Sequence, residues 1–75
     1  MNAQRYAIIL VFSTSHALRV ESVLGRAGVS CKLIPVPRHL STECGVSIRV
    51  LQTDTQRALQ ILEDAGVEIV GVETI

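Results

Sequence analysis

The feature that most constrains this chain is that it repeats itself. Residues 20–29, VESVLGRAGV, lie over residues 58–67, ALQILEDAGV, and at the same spacing the apolar run from Ala7 lies over the one from Gly45. Each half reads strand, helix, strand. Two such halves make βαββαβ, the split βαβ arrangement of ferredoxin-like folds. The expectation is an α+β domain with a four-stranded antiparallel sheet in the order 4-1-3-2 and two helices on one face.

Local signals agree with that outline. Tyr6–Phe12 is a continuous apolar run, as a central strand requires. Ser13, Thr14 and Ser15 follow, and any of them can cap a helix by accepting a backbone N–H. Ala17, Val20, Leu24 and Ala27 then recur on one helical stripe, and Gly28 stands where a left-handed residue ends the helix. In the second half Thr53 and Gln56 form a candidate capping box. Ala58, Leu59, Ile61, Leu62 and Ala65 make the expected buried face, and Gly66 is the stop. Strand two, Cys31–Val36, contains Pro35, which cannot donate to a ladder and so assigns it to an edge. Strand three, Val46–Leu51, sets Ser47 and Arg49 on the face opposite Val46, Ile48 and Val50. The last strand falls near Glu68–Thr74. With both helices on one face, Ala7, Ile9, Val11 or their neighbours are left as an apolar surface on the other, which a second copy could cover as a homodimer.

Composition then removes several functions. The 75 residues make one domain, 1–75, and a chain of this size buries only about 60% of its unfolded surface. Hydrophobic residues are 48% and aromatics 3%, so the core is aliphatic. Seven basic residues balance seven acidic ones with no stretch of one sign; a nucleic-acid partner, which selects a basic face, is not expected. No apolar run approaches the roughly 20 residues that span a bilayer, and no leader pattern opens the chain, so no membrane partner is expected. Two cysteines without a leader read as reduced thiols, and the expected compartment is cytoplasmic.

The topology gathers chemistry at one end. The close of strand one, the start of helix one and the connection between strands two and three share that end, which collects Ser13, Thr14, Ser15, His16, Pro37, Arg38, His39, Ser41, Glu43, Cys44 and Gly45. A helix N-terminus presents unpaired N–H groups and a partial positive charge. A thiolate held there falls below the ordinary thiol pKa of about 8.5. Arg38 and either histidine add to that effect, while Glu43 opposes it. Gly45 leaves room beside the sulfur. Cys44 is therefore the candidate nucleophile or carrier thiol, against the alternative that it is a small buried hydrophobe. Cys31 begins strand two at the other end, about 15–20 Å away by strand rise, beyond the roughly 7 Å Cα separation a disulfide tolerates, and is read as core. His16, His39 and Cys44 share one end, but His39-x4-Cys44 matches no zinc spacing and lacks a fourth ligand, so no metal is assigned. Gly25-Arg26-Ala27-Gly28 closes a helix, whereas phosphate-binding glycines open one; no cofactor is called for.

These residues carry a resemblance. Ser13-Thr14-Ser15-His16-Ala17-Leu18, Glu21, Leu24, Ala27-Gly28, Ile34-Pro35-Val36-Pro37-Arg38, Ser41 and Cys44-Gly45 resemble the Se/S carrier protein-like family from Tyr6 to Val72, most specifically in Pro-x-Pro-Arg followed by Ser-x-x-Cys-Gly. The resemblance implies that Cys44 holds sulfur or selenium as a persulfide or perselenide, with Ser13, Thr14, Pro37, Arg38, Ser41 and Gly45 around it. It implies donor and acceptor proteins as partners, and a carrier rather than an enzyme. The competing reading is an ACT-like ligand-sensing or interaction module without covalent chemistry, which would bind a small metabolite near Gly28; it rests on fold analogy alone.

Overall fold

A computed structural model describes residues 5–37, 40 and 45–74. In chain order the elements are β1 (Tyr6–Leu10), α1 (Thr14–Arg26), β2 (Cys31–Pro35), β3 (Val46–Leu51), a 3-10 turn (Gln52–Asp54), α2 (Thr55–Asp64) and β4 (Gly71–Thr74). The four strands form one antiparallel sheet in the order β2-β3-β1-β4. Counted from the β4 edge, the same succession is 4-1-3-2. β2 is an edge strand, where the missing N–H of Pro35 costs no ladder bond.

The strands are shorter than the apolar runs that suggested them. β1 stops at Leu10, and Val11 and Phe12 lead out of the sheet toward α1. β2 stops at Pro35 rather than Val36, and β4 starts at Gly71 rather than near Glu68. Val11 and Ile69 still pack on the core where pairing has ended, whereas Phe12 and Val70 are exposed.

The core lies between the sheet and the helices. Ala7, Ile9 and Val11 from the first strand region, Ile48 and Val50 from β3, Ala17, Val20 and Leu24 from α1, and Ala58 and Leu62 from α2 form one buried cluster, closed by Val29 and Val67. Each valine, leucine or isoleucine side chain buried in this way contributes about 1.5–3 kcal/mol. Of the two facings left open for β1, Ala7, Ile9 and Val11 point at the helices, and Ile8 and Leu10 take the opposite face. A strand apolar on both sides gives no period-2 signal to tell them apart. Ile8 (0% exposed), Leu10 (8%) and Ser47 (0%) are moreover buried within the single chain. The bare apolar surface on which a homodimer was expected is therefore not found among the described residues.

Both helices end in the same way. At the close of α1 the Val29 N–H donates to Leu24 O at 2.9 Å and the Gly28 N–H to Gly25 O at 3.1 Å. At the close of α2 the Val67 N–H donates to Leu62 O at 2.9 Å and the Gly66 N–H to Glu63 O at 3.0 Å. These are paired Schellman closures, each with its glycine left-handed, φ 81° at Gly28 and 71° at Gly66. The starts differ. Ser13 is an extended N-cap whose hydroxyl accepts the His16 backbone N–H at 3.2 Å. At α2 the expected Thr53–Gln56 capping box does not form. Gln52–Asp54 already wind into a 3-10 turn, so Asp54 (φ −95°, ψ 0°) is the cap residue and makes no side-chain cap bond. A capping side chain needs an extended backbone at its own position, and Thr53 has lost it.

Candidate functional site

β1 delivers the chain to α1 at the end of the sheet where β3 begins, since Leu10 pairs with Ser47. β2 finishes at that same end: Pro35 pairs with Val46, and the Val36 N–H donates to Gly45 O at 3.1 Å. Beyond it the Leu40 N–H donates to Pro37 O at 2.9 Å, a turn. Ser13, Thr14, His16, Pro37 and Gly45 thus stand at one end of the sheet, as the topology required. Arg38, His39, Ser41, Glu43 and Cys44 lie outside the described residues.

Ser13 and His16 are directly coupled. The Ser13 Oγ lies 2.8 Å from His16 Nδ1 while accepting the His16 N–H. Which of the two atoms donates depends on the imidazole tautomer. The Phe12 ring meets the imidazole edge-on, with centroids 5.7 Å apart. Sequence reasoning missed Phe12, having placed it inside strand one; because β1 ends two residues earlier, Phe12 is 56% exposed. Thr14 is exposed and makes no side-chain bond among the described residues.

The electrostatics of this end favour an anion. The N–H groups of Thr14 and Ser15, in the first turn of a helix, have no intrahelical acceptor, and the first turn of α1 holds no acidic residue. The positive end of the helix dipole, equivalent to about half a charge, is therefore not offset by its own side chains. Among the described residues no three of His, Cys, Asp and Glu gather in a metal-binding group, and no helix is long and apolar enough to cross a membrane.

Cys31 is a contrasting thiol. It is free, half-buried against the core and 4.0 Å from the Glu21 carbonyl oxygen. Burial, reinforced by the Glu21 carboxylate, raises its pKa above the ordinary 9.0. It is thus mostly protonated at neutral pH, a poor nucleophile. Gly28, which the ligand-sensing reading singled out, is accounted for by its left-handed closure of α1, and Gly66 has the same role with no ligand reading attached.

Residues 6–73 match the family described as "Putative Se/S carrier protein-like". The chain belongs to this family. The match takes in all four strands and both helices almost to their ends, together with the whole connection that holds Cys44. No curated protein matches the chain.

Proposed function

We propose that this Se/S carrier-family chain holds sulfur or selenium on Cys44 and passes it between a donor and an acceptor protein. Membership of the family over residues 6–73 carries the proposal. The uncompensated N-terminus of α1 supports it, because Cys44 is joined by one peptide unit, about 3.8 Å between Cα atoms, to Gly45, whose carbonyl is held by Val36 at that end of the sheet. In loading, the Cys44 thiolate attacks the outer sulfur of a donor persulfide. The bond from Cys44 Sγ to that atom forms, its bond to the donor breaks, and the donor leaves as a thiolate. Arg38, Ser41 and the Ser13–Thr14 start of α1 would stabilise the charge on the carried atom, with Pro37 and Gly45 shaping its surroundings and His16 held beside them by Ser13. Selenium follows the same course as a perselenide.

The fold we infer for the domain, residues 1–75, is ferredoxin-like, on the element order and the sheet succession. Its setting would be the cytoplasm, whose reducing poise keeps both cysteines available as thiols.

The test is loading and alkylation read residue by residue. Incubation with a persulfide donor should add the mass of one sulfur atom to the wild-type chain and to Cys31→Ser, and none to Cys44→Ser. Loading that survives Cys44→Ser overturns the proposal. Alkylation of Cys44 should persist below pH about 8.5, whereas Cys31, with its raised pKa, should gain reactivity only as pH climbs beyond 9.0.

A further inference from the structure

The other end of the sheet holds a second polar feature that the Cys44 chemistry does not use. A cavity of about 240 Å³ is lined by Tyr6, Ser30, Cys31, Lys32, Arg49, Val50 and Leu51. Lys32 of β2 pairs directly with Arg49 of β3, so both side chains leave the sheet on the face away from the helices. Two like charges directly opposed on neighbouring strands are destabilising. Arg49 sits with its guanidinium carbon 4.2 Å from the centre of the Tyr6 ring, which fixes the cation and leaves its N–H edge to other partners.

Among the described residues no acid answers this pair. Glu73 shares the row, since Arg49 and Glu73 both pair with Ile8 from opposite sides, but neither Arg49 nor Lys32 has an ion pair among the described residues. Glu21 is close enough to raise the Cys31 thiol, yet its side chain does not line the cavity. A lysine on an edge strand also guards the edge against strand addition. That role asks nothing of an arginine opposite it, held on an aromatic ring, in a cavity that Ser30 also lines.

We infer that the cavity formed by Ser30, Lys32, Arg49 and Tyr6 is a binding site for a small oxyanion of the phosphate type. Lys32 and Arg49 supply charge-assisted hydrogen bonds, and an anion between them removes the repulsion the register imposes. The site is independent of Cys44, which belongs to the opposite end of β3.

Tyr6 makes the test direct, because the chain has one tyrosine and no tryptophan, so tyrosine emission reports this ring alone. Inorganic phosphate, titrated at constant ionic strength maintained with chloride, should change that emission saturably and raise the melting temperature. Lys32→Gln should weaken phosphate binding about tenfold, the effect of losing one charged hydrogen bond. Arg19→Gln, on α1 beside His16 at the opposite end of the sheet, and Cys44→Ser should bind like the parent. Arg49→Gln should weaken binding at least as much as Lys32→Gln, and its urea midpoint shows whether it still folds. An unsaturable response, one that chloride reproduces, or undiminished binding by a folded Lys32→Gln overturns the inference.

Discussion

Residues 6–35 and 46–74 are two passes through one course of strand, helix and strand, and they agree where they pack and differ where they begin their helices. Leu24 and Leu62 occupy the same place in the two Schellman closures, and both are buried in the shared core beside Val29 and Val67. At the helix starts the resemblance stops. The first half has Ser13, a side-chain cap, and no acid in its first turn. The second has Leu51, a 3-10 turn and Asp54, which caps nothing with its carboxylate. The packing of a repeated unit is held by two helices that need the same sheet, whereas a helix N-terminus at the surface is free to take on an electrostatic role in one half only.

The largest effect that tests this comparison comes from its most symmetric point. Leu24→Ala and Leu62→Ala should each cost about 3 kcal/mol of folding stability, and should match to within about 1 kcal/mol in urea unfolding. If one is nearly silent, the two halves do not share their core evenly. The asymmetry of the starts predicts an intermediate effect. Ser13→Ala should cost about 1 kcal/mol, while Asp54→Ala, which breaks no cap bond, should stay within about 0.5 kcal/mol of the parent. Equal losses would mean that the caps are as alike as the closures.

The smallest effect concerns Thr55. In the repeat it falls where Ala17 stands in α1, and its Oγ1 is buried without a hydrogen-bond partner among the described residues. An unpaired buried hydroxyl costs about 1–3 kcal/mol, so Thr55→Val, close to it in shape, should raise stability, by about 0.5 kcal/mol after the strain of repacking. A loss instead would show that the hydroxyl has a partner in solution.

The parts of this design legible in the sequence are those that the chain writes locally. The glycines at 28 and 66, and Pro35 on an edge, each express a rule about a single position, and the structure has them as expected. The facing of β1 was not legible, because Ala7 to Val11 is apolar on both sides and the choice is made by helices elsewhere in the chain. The start of α2 was misread for a related reason: Thr53 and Gln56 have the residue types of a capping box, but Leu51 ends β3 so close by that the chain turns into a 3-10 helix first. Arg57 donates to Ala27 O at 3.1 Å, a clamp that ties α2 to the end of α1. It joins positions that no local pattern connects. For the candidate site, topology assembled Ser13, Thr14, His16, Pro37 and Gly45 correctly at one end, while the Ser13–His16 bond and the edge-on Phe12 required side-chain positions.

The succession of the strands has a consequence for how the domain is made. β1 is flanked on one side by β3, with residue 8 beside residue 49, and on the other by β4, with residue 9 beside residue 72. During synthesis the first strand must therefore wait, one flank unpaired, until nearly the last residues of the domain have left the ribosome. Such distant pairings slow folding, and an apolar strand with an open flank is a template for joining another chain. The nascent protein is most exposed to misassembly in the interval between the release of β3 and the arrival of β4.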